Sequence, residues 1–308
     1  MLPTTLNINP VWLIRSLSMA LELALTGVTL HHWRTAIICR YLADIMGLDL
    51  LDKQNLLMST LLHDIGAASD YDERLRIMDP ERRQNDPEIY SHAEDGYRLL
   101  SDSCCFQPLA EAVRHHHDKW DGGNPSGLAG DDIPQAARII HLADVIEVNI
   151  DRNSPLGGQR DNLIRLARGS MGKDQDPEAV NALLSASEKD CLWLDLANPS
   201  YADILFRDMD SWVLTSYTSE DMLSIAHIYA SIIDRMSIFT ATHSRSVSKV
   251  SSLLAAHCGF CRPELEMMET AGLLHDLGKL TIPNEILEKP GKLSPDEMRL
   301  MRQHTYHT

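Results

Sequence analysis

Two histidine–aspartate doublets stand in near-identical settings, Leu61-Leu62-His63-Asp64-Ile65-Gly66 and Leu273-Leu274-His275-Asp276-Leu277-Gly278. Imidazole beside carboxylate can bind a metal or move a proton, and further histidines frame each doublet. The doublets are offset by 212 residues, His92 and His304 again by 212, and His32 and His243 by 211. With 14 histidines in 308 residues, three such offsets mark an internal duplication of a metal-binding unit.

The first copy offers His32, His63, Asp64, His92, His116, His117 and Asp144. Seven nitrogen and oxygen donors exceed the needs of one tetrahedral zinc and suit two six-coordinate metals sharing a carboxylate. Imidazole with carboxylate and no thiolate fits iron, manganese or zinc-like ions. Two metals ~3.5–4 Å apart lower the pKa of a shared water and clamp both sides of a phosphoryl displacement. Lone histidines at helix ends are usually surface or core residues, so the matched offsets carry the assignment. His31 competes with His32, and His115 leaves the 116–117 register open by one. The alignment of His32-Trp33-Arg34 with His243-Ser244-Arg245 favours His32. The second copy holds His243, His275, Asp276 and His304; its paired histidines and last aspartate would fall near ~328 and ~356. The expectation is therefore a longer parent of above ~360 residues.

These donors need elements to hold them. The period throughout is helical: Ile37, Ile38, Tyr41, Leu42, Ile45 and Met46 form one apolar stripe after His32, and a second helix runs through Leu56, Leu57 and Leu61 into the doublet. The same plan follows His243 with Val247, Val250, Leu253 and Leu254, then Met267, Met268 and Leu273. No alternating strand pattern is found. The expectation is all-α, a helical bundle duplicated. Residues 69–91 and 151–160 read as loops, 121–125 as a turn, and 161–169 and 177–186 as helices. The boundaries expected are 1–190 for a unit with the complete ligand set, 191–219 for a connector and 220–308 for a second unit, incomplete at its C-terminal end.

Net charge of −16 excludes sequence-independent binding to nucleic acid polymers or anionic membranes. With 6% aromatic residues, aliphatic side chains must fill the cores. The six cysteines, with no signal peptide ahead of them, point to a reduced, cytoplasmic chain. Cys258 and Cys261 beside His257 could form a zinc knuckle, though two thiols at a helix end is the plainer reading. Residues 11–30, interrupted by Arg15 and Glu22, read as an amphipathic helix and not a membrane span.

The order His, His-Asp, His, His-His, Asp resembles the HD superfamily of metal-dependent phosphohydrolases, in its HD-GYP branch. The matching segments are 63–66, His92-Ala-Glu-Asp-Gly96, 116–122, 127–130, Ile133-Pro134 and 137–144, then 275–283 and 287–295 in the second copy. The resemblance implies an all-α fold and a binuclear, sometimes trinuclear, iron or manganese centre, with the seven first-copy donors as ligands. It implies hydrolysis of a cyclic dinucleotide, cyclic di-GMP or cyclic GMP–AMP, by metal-activated water, with Asp64 bridging the metals. It also implies signalling partners of the diguanylate-cyclase type and allows a homodimer.

Three departures mark the first copy. The lysine expected after His-Asp-x-Gly to steady a phosphate is Ala67, while the second copy keeps it as Lys279, which joins Asp64 among the catalytic candidates. The glycine–tyrosine–proline signature is Gly123-Asn124-Pro125, and the basic pair expected after the last aspartate is reduced to Arg152, the substrate-binding candidate. Losing a phosphate contact costs on the order of 2–4 kcal/mol of transition-state stabilisation. The competing reading is therefore a catalytically weak metal- or nucleotide-binding domain that regulates the second unit or a partner. An HD phosphohydrolase acting on simple nucleotides is a third. Ala67→Lys is expected to raise hydrolysis, and replacing His31 to do little.

Overall fold

The computed structural model describes residues 5–8, 14–15, 18, 30–69, 76–80, 89–103, 105–198, 215–235 and 242–308. Most of the helix expected over 11–30, the loop over 69–91 and the stretch 199–214 lie outside these residues.

The first unit is built around α1 (His31–Ile45), which follows Leu30 in a left-handed turn (φ 75°). Its buried residues lie on nearly every face, among them Trp33, Ile37, Ile38, Cys39 and Leu42. It is covered by α2 (Leu50–Leu62), α5 (Gln135–Val148), α7 (Pro177–Ser187) and α8 (Cys191–Ala197). Local signals set the helix starts. Asp49 caps α2 by accepting from Asp52 N at 2.9 Å, with Gly47 (φ 71°) in the preceding turn. Asp176 caps α7, whose first residue is Pro177. Between them, α3 (Ser91–Ser101) packs on α4 (Gln107–Arg114) and on the short 3-10 turn Ile65–Ser69, and α6 (Arg160–Ser170) packs on α5 and α7.

Two differences from expectation have simple causes. The stretch expected as connector begins with α8, whose Leu192, Trp193 and Leu196 are buried and whose Asp195 accepts from Tyr41 Oη at 2.5 Å. Seven residues show too little periodicity to reveal a helix. Likewise β1 (Thr5–Ile8) and β2 (Thr215–Thr218) pair antiparallel, Thr5 opposite Thr218, in strands too short to display alternation.

The second unit repeats the first at a constant offset. α9 (Ser219–Arg235) precedes α10 (His243–His257), α11 (Arg262–Leu274) and a 3-10 turn Leu277–Thr281. The bounds of α1, α2 and the turn 65–69 reappear 212 residues later as α10, α11 and 277–281. α12 (Asn284–Leu287), α13 (Pro295–Arg302, with a Ser294–Glu297 capping box) and α14 (His304–His307) follow. α9 joins the units: Ile225, Ile228, Tyr229 and Ile232 enter the core of the first, while Ala226 and Ala230 pack on Leu273 of α11. The apolar stripe of α10 is placed differently from its model in α1. Ile38 and Leu42 are fully buried, whereas Val250, Leu253 and Leu254 are exposed, because nothing among the described residues covers them as α5 and α7 cover α1. Among the described residues no helix is long and apolar enough to cross a membrane, and Cys39, Cys105, Cys191, Cys258 and Cys261 are unbridged. Cys258 and Cys261 form no donor group with His257.

Candidate metal centre and adjoining pocket

The first turn of α1 brings His31 and His32, the end of α2 brings His63 and Asp64, the start of α3 brings His92, the turn after α4 brings His116 and His117, and α5 brings Asp144. One contact lets these meet. A Cβ added to Gly66 would lie 1.9 Å from the carbonyl oxygen of His92, so only glycine allows the 65–69 turn to touch α3. Gly278 stands at the same 1.9 Å from His304 O. Gly66→Ala is expected to push α3 away, at a cost of about 1–3 kcal/mol or more. Thermal unfolding and the metal content of the variant would show it.

Asp64 is the hub. Its Oδ2 lies 3.4 Å from His31 Nε2, 3.7 Å from His32 Nε2 and 3.2 Å from His63 Nε2. Its Oδ1 lies 3.4 Å from His92 Nε2 and 3.8 Å from His116 Nε2. The two oxygens thus face two histidine groups, one at residues 31, 32 and 63 and the other at 92, 116 and 117. Asp144 Oδ1 is 3.5 Å from His31 Nε2 and 3.8 Å from His63 Nε2, completing a third group with His63 and His116.

Backbone carbonyls set the ring orientation. His63 Nδ1 meets Thr60 O at 2.7 Å and His116 Nδ1 meets Val113 O at 2.6 Å. A carbonyl only accepts, so each Nδ1 donates and each Nε2 turns its lone pair inward. The Nε2 atoms of His92 and His116 are then 3.3 Å apart, and those of His117 and His92 are 3.0 Å apart. Lone pairs and carboxylates this close, in a buried cluster, are the donor chemistry that a cation satisfies.

The electrostatics divide the cluster. Burial and the neighbouring His63 and His92 hold His116 well below its ordinary value, keeping it neutral and able to donate a lone pair. Burial would raise Asp64, but His63, His31 and His32 hold its carboxyl well below the usual range. His31 behaves differently. Burial opposes its charge, yet the Glu147 carboxylate and the hydrogen bond it donates to Asp64 push it up to about 10.

His31 is the residue that sequence reasoning set aside. Its Nε2 lies 3.2 Å from His63 Nε2, and His243 Nε2 lies 3.2 Å from His275 Nε2 in the second unit. The counterpart of His243 is therefore His31, as the uniform offset of 212 would have shown; the Arg34–Arg245 match pointed one residue away. His32 also reaches the cluster, with Ser18 Oγ 3.1 Å from its Nδ1. Behind His31, fully buried Glu147 sits 2.5 Å from its Nδ1 and accepts from Arg152 Nη2 at 2.7 Å. Arg152 thus neutralises Glu147 and does not line the pocket described below.

The other two departures have structural causes. Ala67 is fully buried among Ile77 and Ile89. Ala67→Lys would press a charge into that apolar cluster, so the expected outcome changes: a loss of roughly 1–3 kcal/mol of stability, read as a lower unfolding temperature, and no gain in hydrolysis. Asn124 is 7% exposed and staples its turn, accepting from Lys119 N at 2.7 Å and donating to Lys119 O and Leu128 O at 2.9 and 2.8 Å. It is an internal brace where a tyrosine would project.

In the second unit the four predicted donors also converge. Asp276 lies 3.4 Å from His243 Nε2, 3.2 Å from His275 Nε2 and 3.6 Å from His304 Nε2. Gly272 O and Met301 O orient His275 and His304 through Nδ1. Lys279 Nζ is 2.6 Å from Asp276 Oδ2. His243 is 43% exposed, against 2% for His31 and His32, so this cluster is more open than the first.

Beside the first cluster lies a pocket of about 540 Å³, lined among others by His117, His141, Tyr90, Lys119, Lys173 and Gln175. His141 Nδ1 donates to Asp118 O at 3.0 Å, and Asp118 Oδ2 meets His115 Nδ1 at 2.8 Å. His115 thus braces the loop, which settles the register in favour of His116 and His117.

A helical bundle that gathers histidines and aspartates in this order is the architecture of an HD domain. The chain matches the HD domain family over residues 28–149 and again over 228–308. It belongs to that family, with two HD domains in tandem. It is 28% identical over 255 residues to 3'3'-cGAMP-specific phosphodiesterase 1 of Vibrio cholerae, covering 80% of this chain and 57% of that protein. It is 42% identical over 65 residues to the cyclic di-GMP phosphodiesterase response regulator RpfG of Xanthomonas campestris, covering 21% of this chain and 17% of that one. A crystal structure of a V. cholerae cyclic GMP–AMP phosphodiesterase, V-cGAP3, superposes with a TM-score of 0.70 at 21% identity, over 96% of this chain and 77% of that one. The chain spans about half the length of the curated full-chain relatives it matches, 57% and 43% of the first two.

Proposed function

We propose that this chain is a cyclic-dinucleotide phosphodiesterase, acting on cyclic GMP–AMP or cyclic di-GMP in the cytoplasm, with its reaction centre in the first HD domain. The observation that carries the reading is Asp64, a largely enclosed carboxylate whose two oxygens face two separate histidine groups, one of which borders a pocket of ligand size through His117. The relatives' names supply the substrate class.

In this reading His31, His32, His63, Asp64, His92, His116, His117 and Asp144 would hold two divalent cations, iron or manganese. Bound there, such cations would supply positive charge to the phosphodiester oxygens and acidify water. The chain's own part is to hold imidazoles in fixed tautomers through Thr60 O and Val113 O and to bury the cluster. The second domain, with Lys279 on Asp276, holds a partial site.

One observation favours the regulatory reading instead: Ala67 is buried and Arg152 is spent on Glu147, so neither expected phosphate cation stands at the first site. One experiment separates the two. Metal content and cyclic GMP–AMP turnover are measured on the same sample purified without oxygen. Two metals with turnover support the enzyme, two metals without turnover support the regulator, and absence of metal defeats both.

A further inference from the structure

The pocket beside His117 is lined by a residue with a polar atom that nothing among the described residues satisfies. Gln175 is 1% exposed and lines the pocket, and its side-chain oxygen Oε1 is buried without a hydrogen-bond partner. A buried carbonyl oxygen in this state is destabilising, and native proteins keep few of them without a purpose.

Its setting is built in advance. Gln175 N donates to Ser170 O at 3.0 Å, and Gly172 N donates to Gln175 O at 2.8 Å. The loop carrying it is tied to the loop after His117: Trp120 N donates to Asp174 O at 3.1 Å and Asp121 N to Lys173 O at 2.8 Å. Lys119 and Lys173, one from each loop, line the same pocket, and Lys119 Nζ lies 3.3 Å from Asp174 Oδ1. Tyr90 adds an aromatic ring to the wall. The pocket thus combines two cations, an aromatic ring and one unsatisfied acceptor, and shares His117 with the histidine cluster.

We propose that this pocket is a base-recognition subsite for an amino-purine nucleotide, in which Gln175 Oε1 accepts an N–H of the base while Lys119 and Lys173 face its phosphates. The donor is the 6-amino group of adenine or the N1–H and 2-amino group of guanine. The inference rests on the cyclic-dinucleotide reading of the first domain and names how that site selects its base. It also places the phosphate cations on the loops after His117 and Ser170.

The test uses the full, metal-loaded chain and hydrolysis-resistant phosphorothioate analogues of cyclic GMP–AMP, cyclic di-GMP, cyclic di-AMP and cyclic di-UMP, with dissociation constants measured by calorimetry. The unaltered chain should prefer the purine analogues, and the order of cyclic di-AMP and cyclic di-GMP identifies the donor. Gln175→Leu should weaken the purine analogues by roughly tenfold and leave cyclic di-UMP unchanged. The same variant should unfold at a higher temperature without ligand, because the unsatisfied oxygen is gone. Gln175→Glu, which keeps the acceptor, should keep the purine preference. A Gln175→Leu chain with unaltered purine preference overturns the subsite alone. An unaltered chain that binds none of the four analogues overturns the phosphodiesterase reading with it.

Discussion

Asp64→Ala should empty the first cluster. The carboxylate is the one group within 3.2–3.8 Å of five histidines, and its two oxygens face opposite groups, so no neighbour can take its place. Replacement of a residue that merely supports a metal ligand costs roughly 10–100-fold in metal affinity or activity. A shared ligand should cost more, so cyclic-dinucleotide turnover should fall by at least about a hundredfold. Elemental analysis of the variant decides the matter. Two metals retained per chain after Asp64→Ala would mean that the cluster has been assigned the wrong hub.

Glu147→Ala is expected to be the most destabilising single change near the site. Glu147 is fully buried, 2.5 Å from His31 Nδ1 and 2.7 Å from Arg152 Nη2. Its removal strands His31 and Arg152 and also Arg34, whose Nη1 lies 3.7 Å from Glu147 Oε1, and breaking a buried ion pair on one side costs about 3–5 kcal/mol. The unfolding midpoint should drop by roughly 10 °C for a unit of this size. Metal affinity should fall with it, since His31 loses the partner that orients its ring. Glu147→Gln keeps the shape and one acceptor, and should lose less.

The pH dependence of the metal-free chain carries the same signature. His31 and Arg152 hold the Glu147 carboxyl below its ordinary value against the opposing effect of burial. Its contribution to stability is therefore present above the ordinary carboxylate range and lost as the pH falls through the depressed value. Glu147→Gln should flatten the acid limb of a stability-against-pH curve. An acid limb identical to that of the unaltered chain would show that the pair does not contribute.

Much of the site could be read along the chain because its donors are set by periodic helices. The doublets end α2 and α11, and the constant offset of 212 carries over to whole elements, so the duplication was visible in spacing alone. His31 was misjudged for a local reason: two adjacent histidines on one helix turn differ by about 100° in direction, and a matched arginine is weaker evidence of register than a constant offset. Glu147 had no signal at all. A glutamate one turn after Asp144 on α5 looks like an ordinary helix acid until His31 and Arg152 are seen against it.

Ala67 and Asn124 show the opposite limit. Each was recognised as a departure, but what stands behind it depends on residues distant in the sequence. Ile77 and Ile89 close over Ala67, and the carbonyls of Lys119 and Leu128 occupy Asn124. A lysine at 67 looked like a restoration in the sequence and is a buried charge in the structure.

The sequence by itself determined the all-α class, the duplication and the donor types, because helical period, repeat offset and side-chain chemistry are local or additive properties. Tertiary structure alone decided that Asp64 stands between two histidine groups and that His31 joins them. It also placed Arg152 on Glu147 and left Gln175 with an unsatisfied oxygen in the pocket. Those outcomes depend on how helices far apart in the chain approach one another, and on whether a buried polar atom finds its partner across that gap.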